Sequence, residues 1–226
     1  MRLNFRFSQW CYYTVLCLAA HSISASANAA DLRIKVSDKK GRAVEDAVVL
    51  ATPSDLSKIK NLKAKDEVID QIDKEFVPFV KPLLVGSKVF FPNKDDVRHH
   101  VYSFSAAKTF ELQLYSGKTA PPVVLDKAGI VVLGCNIHDW MLSYVYVAET
   151  PYFGKTDKDG NVQIADLPNG EYQLKIWHPS MGMTSGENGA KIKFDDSTPA
   201  IKLDWSIATK AIVRIPRKSS TQSNGY

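Results

Sequence analysis

The stretch IVVLGCNIHDWMLSYVYV, residues 130–147, decides how the chain is read. Two apolar, β-branched and aromatic runs flank eight residues, GCNIHDWM, that contain a cysteine, a histidine three positions on and a methionine three positions after that. Runs of this kind, too short for buried helices and bounded by Gly and Asn, read as adjacent strands joined by a loop. With Cys135 closing the first strand, His138 lies in the loop and Met141 opens the second. A tight loop can then bring a thiol, an imidazole and a thioether to one point.

Whether Cys135 is free for such a role depends on the N-terminus. Arg2 and Arg6 precede the apolar run WCYYTVLCLAA, residues 10–20, and the small-residue segment ASANAA, residues 25–30. A basic n-region, an apolar h-region too short to span a bilayer and an A-x-A site at Ala27-Asn28-Ala29 give the order of a cleaved secretory signal over residues 1–29. Leu16 before Cys17 is too large for a lipoprotein cleavage box, so the mature chain is expected to carry no lipid or membrane anchor. The expected destination is the periplasm. Cys11 and Cys17 leave with the leader, and Cys135 remains as the one mature cysteine, unable to form an internal disulfide. A free thiol in an oxidising compartment is a liability unless buried or ligated.

The remainder of the sequence is β in style. Alternation in DLRIKVSD (31–38), the turn KKGR (39–42) and the run AVEDAVVLATP (43–53) give two strands. Lys-rich residues 54–66 read as a linker or short surface helix. Short β-rich runs punctuated by Gly, Pro and Asn follow: VIDQIDKEFVP (68–78), LLVGSKVFFPN (83–93), HVYSFS (100–105), TFELQLYS (109–116), PVVLDKAG (122–129) and the two runs already quoted. After Thr150, KTDKDGNVQIADLPNGEYQLKIWHP (155–179) carries turn signals at Asp159-Gly160 and Asn169-Gly170, and AKIKFDD (190–196) and AIKLDWSI (200–207) alternate again. PRKSSTQSNGY, residues 216–226, has no periodicity and reads as a disordered tail. An all-β fold of sandwich type follows. The formal net charge of +5 comes from scattered basic residues and gives no reason to expect nucleic acid.

Two resemblances sharpen this reading. The D-x-x-G-x-x-V-x-x-A-x-V pattern near residues 38–49 and the T-D-x-x-G-x-x-x-I-x-x-L-P-x-G-x-Y-x-L pattern over 156–174 resemble the carboxypeptidase-regulatory-like, transthyretin-like β-sandwich. In that family the two pieces are near neighbours, whereas here about a hundred residues intervene. A split sandwich, residues 30–60 and 150–215, with residues 66–149 inserted, is therefore expected. The inserted segment resembles a cupredoxin of the plastocyanin and amicyanin family, a Greek-key β-sandwich. Cys-x-x-His-x-x-Met, Cys135 to Met141, is similar to the short ligand loop of amicyanin, and HHV, residues 99–101 after Asn93, to the family's upstream His-Asn-Val.

The resemblance implies one type 1 (blue) copper ion per chain. Its ligands would be His99, Cys135 and His138, with Met141 axial. His100 stands as the alternative to His99, and otherwise occupies the position of an asparagine that ties the two ligand loops. Asn93 and Asn136 are the other expected supporting residues. Thiolate and thioether favour Cu(I) and two imidazoles hold Cu(II) as well; zinc takes Cys and His but rarely Met. Trp140 is either a packed loop aromatic or part of an apolar docking patch around the His138 edge, and Asp139 between them is acidic.

The implied function is one-electron carriage to a transient redox partner such as a c-type cytochrome or a periplasmic dehydrogenase, methylamine oxidation being one possible setting. The alternatives are a copper-binding or trafficking protein without a redox partner, and a passive binding module. No Met-rich or His-rich tract supports trafficking. An enzyme is disfavoured because, in the expected mature chain, only His178 remains outside this set for a second metal centre. His178 reads as structural, Met181 and Met183 as part of a loop, and TDKDGN (156–161) lacks the ligand order of a calcium loop.

Overall fold

The computed structural model describes residues 30–59, 63–115, 120–184, 186–198 and 200–210. The signal-peptide expectation for 1–29 and the tail expectation for 216–226 lie outside these residues. Among the described residues the regular structure is β, apart from two 3-10 turns at Leu56–Lys58 and Pro179–Met181. The Lys-rich stretch thus contributes a single 3-10 turn, capped by Asp55, whose carboxylate accepts from the Ser57 amide at 3.1 Å.

The first two strands, β1 (Ala30–Asp38) and β2 (Val48–Pro53), find their partners at the far end of the chain. Strands β13 (Phe153–Lys155), β14 (Asn161–Leu167), β15 (Gly170–Trp177), β16 (Glu187–Phe194) and β17 (Ala200–Ile207) complete two sheets with them. One sheet has the order β14-β1-β17 and the other β13-β2-β15-β16. β1 runs parallel to β17, Leu32 against Ile201 through Asp38 against Ile207, and antiparallel to β14. Leu32, Ile34 and Val36 point inward from β1 while Arg33 and Lys35 face solvent, as a two-residue period demands. They meet Val49, Ala51, Tyr172, Leu174 and Ile176 of the facing sheet in one core. Asp159-Gly160 and Asn169-Gly170 each connect strands of opposite sheets, so these turns carry the chain across the sandwich and do not close hairpins between paired neighbours.

Between β2 and β13 the chain forms a second sandwich. Its larger sheet contains β6 (Val80–Leu84), β12 (Leu142–Ala148), β11 (Gly129–Gly134), β8 (His99–Ser105) and β9 (Lys108–Tyr115), in that order. The opposing sheet is β10 (Val123–Leu125), β7 (Ser87–Phe90) and β3 (Asp66–Val68). A small hairpin, β4 (Asp70–Ile72) and β5 (Glu75–Val77), sits at one end. The run VIDQIDKEFVP is thus broken at Asp73 and Lys74, which both adopt positive φ, 53° and 58°. Val89, Phe91, Val101, Val131, Leu133, Val145 and Val147 belong to the core of this sandwich, as do Cys135 and Met141.

The two sandwiches share a third core. Val48 and Leu50 of β2, Ile130 of β11, Tyr146 and Ala148 of β12 and Trp177 of β15 are buried together. This explains the unbroken apolar runs in VVLA and YVYVA: both strands bury side chains on both faces, so alternation disappears. Trp177 is fully buried between Tyr144 and Tyr146, each ring centroid 5.8 Å away, and its Nε1 donates to the Gly182 carbonyl at 3.0 Å.

Candidate metal centre

The central sandwich carries its functional side chains at one end. β8 begins at His99, whose side chain turns inward and is fully buried. β11 ends at Gly134, and Cys135 follows with 3% exposure and no disulfide partner. Tyr102 of β8 lies across Gly134: a Cβ there would come within 2.7 Å of the phenol ring. Glycine before the cysteine therefore lets the neighbouring strand close over β11. The loop then turns back on itself, the Met141 amide donating to the His138 carbonyl at 2.9 Å, and Met141 enters the same core as Cys135.

This folding brings a donor atom from each of His99, Cys135 and His138 within 4.8 Å of one another. The two imidazole rings stand 5.0 Å apart. Nδ1 of His99 and Nδ1 of His138 are both buried without a hydrogen-bond partner. A buried polar atom left unpaired costs about 1–3 kcal/mol, so two bare ring nitrogens beside a free thiol call for a ligand that satisfies them together. Two imidazole nitrogens and one sulfur in a compact set are borderline-to-soft donors, which fits copper or zinc and does not fit calcium or magnesium. Protonation of His138 is disfavoured as well. Burial foremost, with the nearby His99 and Lys74, pulls the His138 pKa below its ordinary 6.5, against a smaller opposing effect of Asp95.

The adjacent histidine does something else. His100 faces away from this cluster, with Nε2 2.8 Å from Glu111 and its ring 5.6 Å from that of Tyr102. The β8–β9 register sets His99 against Tyr115 and Val101 against Leu112, so β9 carries an extra residue opposite His100. Such a bulge re-aims side chains beside a site. His100, the alternative to His99 and otherwise at the position of a loop-tying asparagine, here pairs across with Glu111 of β9. Asn136 is exposed on the loop. Asn93 does brace: its Nδ2 donates to the carbonyls of Val97 at 2.8 Å and Tyr115 at 2.9 Å, and its Oδ1 accepts from the Asp95 amide at 2.9 Å.

Nothing in the sequence singles out Asp95. Its Oδ2 lies 2.7 Å from His99 Nε2. The signal available was Asp-x-x-x-His within NKDDVRHH, a spacing too common to stand out. Partial burial pushes the Asp95 carboxyl up, but the Lys74 amide, His99 and the Asp73 amide outweigh it and hold it below the usual 3.8. Trp140 is 44% exposed, its ring centroid 5.1 Å from that of His138 and its Nε1 donating to the Lys74 carbonyl at 3.1 Å. Ile137 and Val97, on the segments that carry His138 and His99, are exposed. His178 is remote from this cluster, accepting at Nδ1 from the Ser180 amide at 3.2 Å.

No family model and no curated protein matches this chain. Several solved structures are similar over part of it. A Cu-containing nitrite reductase (NirK) from Thermus scotoductus SA-01 is 23% identical over 43% of this chain and 25% of its own, with a TM-score of 0.36. The reduced Cu(I) form, at pH 4, of a point mutant of amicyanin is 16% identical over 44% of this chain and 98% of its own, with a TM-score of 0.34. A purple cupredoxin from Nitrosopumilus maritimus is 21% identical over 38% of this chain and all of its own, with a TM-score of 0.30. These likenesses span less than half of this chain.

Proposed function

We propose that the protein holds one type 1 copper ion through His99 Nδ1, Cys135 Sγ and His138 Nδ1, with Met141 as a weak axial donor, and works as a one-electron carrier. The observation that carries this reading is the convergence of the thiol with two imidazoles, each of which has a buried, partnerless Nδ1. Bound copper would supply reversible Cu(I)/Cu(II) chemistry. The chain's own part is to fix the donors and to keep water from them. Both loops are anchored to strands of one sheet, His99 is fully buried and Cys135 nearly so. Donors held this rigidly move little between the two charge states, which suits electron transfer.

His138 is the ligand nearest solvent, and Ile137, Trp140 and Val97 supply exposed apolar surface on the segments that carry it and His99. An apolar rim at the exposed imidazole edge suits brief docking of a redox protein such as a c-type cytochrome or a periplasmic dehydrogenase. Residence in the periplasm and removal of residues 1–29 belong to the same proposal, as does the absence of a catalytic reaction of its own. Burial of Cys135 and His99 favours an ion that is retained over one that is handed on.

The test is the visible spectrum of copper-loaded protein. An intense thiolate-to-Cu(II) charge-transfer band, one ion per chain, is expected, and Cys135→Ser is expected to abolish it. A colourless Cu(II) form of folded wild-type protein overturns the proposal.

A further inference from the structure

The two candidate ligand loops are joined by the hairpin β4–β5, which belongs to neither. Its two-residue turn, Asp73 and Lys74, has φ of 53° and 58°. Two successive positive φ values define a type I′ turn, which normally takes Asn or Gly, so a lysine there needs external support. The support comes from Asp95: one carboxylate oxygen accepts from the Asp73 amide at 2.7 Å and the other from the Lys74 amide at 2.9 Å. The second oxygen also faces His99 Nε2 at 2.7 Å. From the other side, the Lys74 carbonyl accepts the Trp140 indole N–H, and that ring stands against His138. One continuous set of contacts thus runs from His99 through Asp95 and the turn to Trp140 and His138.

We propose that Asp95 is a positioning residue that sets the His99 tautomer, accepting the Nε2 proton so that Nδ1 carries the bare lone pair toward Cys135 and His138, and that the 73–74 turn holds Asp95 in place for this. The geometry admits little else. A carboxylate already receiving two backbone N–H groups offers only acceptor sites, so the Nε2 facing it must be the donor. A ring that donates from Nε2 has its other nitrogen free to bind a metal, with orientation fixed by the carboxylate and basicity raised by it. A more basic imidazole favours Cu(II) over Cu(I), so the carboxylate lowers the reduction potential of the pair. The potential and affinity consequences rest on the copper reading above; the tautomer does not.

Nitrogen-15 NMR of the metal-free protein at neutral pH reads the tautomer directly. Wild type should show His99 protonated at Nε2. In Asp95→Asn the carboxamide cannot accept all three protons, and the Nε2–H population should fall. Copper-loaded Asp95→Asn should bind Cu(II) ~10–100-fold more weakly, with a higher midpoint potential. Trp140→Phe keeps an aromatic side chain beside His138 and removes the indole N–H that donates to Lys74, so it should change these values in the same direction by less. Far-UV circular dichroism checks that each variant is folded. An Nδ1-protonated His99 in wild type overturns the proposal, and this measurement decides even if Asp95→Asn does not fold. So does a folded Asp95→Asn whose His99 tautomer and Cu(II) affinity match wild type. Failure of wild type to develop a charge-transfer band would count against the copper reading alone and would leave the tautomer result standing.

Discussion

The outer sandwich and one end of the central sandwich treat buried polar groups differently. In the outer one, Thr156 Oγ1 accepts from the Ala47 amide at 2.8 Å and donates to the Val44 carbonyl at 2.7 Å. Thr150 Oγ1 donates to the Ala51 carbonyl, and the Asp38 carboxylate takes the Lys40 and Arg42 amides and the Arg42 guanidinium. Each of these contacts ties loop or strand backbone together, and each is complete. At one end of the central sandwich a free thiol and two bare ring nitrogens are buried together, next to a type I′ turn built without glycine. Folding alone gives no reason to gather unpaired donors and a disfavoured backbone in one place. Where local rules are broken together and the breach is braced from outside, the arrangement serves a ligand.

The sharpest way to break this contrast is at the seam. Trp177 sits in the core shared by both sandwiches, so Trp177→Ala should cost ~3–5 kcal/mol in urea or guanidinium unfolding followed by circular dichroism. Copper stoichiometry below the transition should be unchanged, because no candidate ligand belongs to the seam cluster. A loss under about 1 kcal/mol would mean that the shared core does not hold the two sandwiches together.

A smaller effect separates Met141 from the three clustered donors. Met141→Leu conserves volume, so it should cost less than about 1.5 kcal/mol. It should keep copper and colour, and the potential should rise, because loss of a thioether donor disfavours Cu(II). Spectroscopy and voltammetry on the copper-loaded variant check both. Complete loss of copper, as expected for Cys135→Ser, would sink the axial assignment.

The smallest effect is a matter of pH and belongs to the outer sandwich. Burial pulls the His178 pKa below its ordinary 6.5, against the opposing influence of Asp46 and Glu45. The unfolded chain therefore takes up this proton at a higher pH than the folded protein does. The stabilisation is fully present above pH 6.5 and is lost as pH falls from there through the lower folded value. His178→Gln should flatten the decline of Tm in that window, above the range where Asp38, Asp95 and Asp195, all held below 3.8, begin to protonate. In metal-free protein His138 adds a slope of the same sign. An unchanged Tm profile in His178→Gln would show that this imidazole is not held neutral by the fold.

Much of the candidate site could be read before any strand was paired. Cys-x-x-His-x-x-Met between two apolar strands is a local closure, and a loop that short leaves the Cys135 and His138 side chains few places to go. The β class was legible for a similar reason: a two-residue period is written directly into strands that are buried on one face, such as β1.

What the sequence left open were questions of which face and which partner. His99 and His100 are equivalent by composition. Only the pairing of β8 with β11 and β9, with a bulge opposite His100, sends one toward Cys135 and the other toward Glu111. The parity of a strand is set by the sheet that it joins, and a shift of one residue would exchange the two. The same holds for Asp95, whose carboxylate matters through a turn some twenty residues upstream that no spacing rule connects to it. It holds also for β1, whose parallel partner β17 lies at the other end of the described chain. Local periodicity fixes what kind of surface a segment offers. Which surfaces meet is decided by burying all of them at once, and that is settled only in the folded protein.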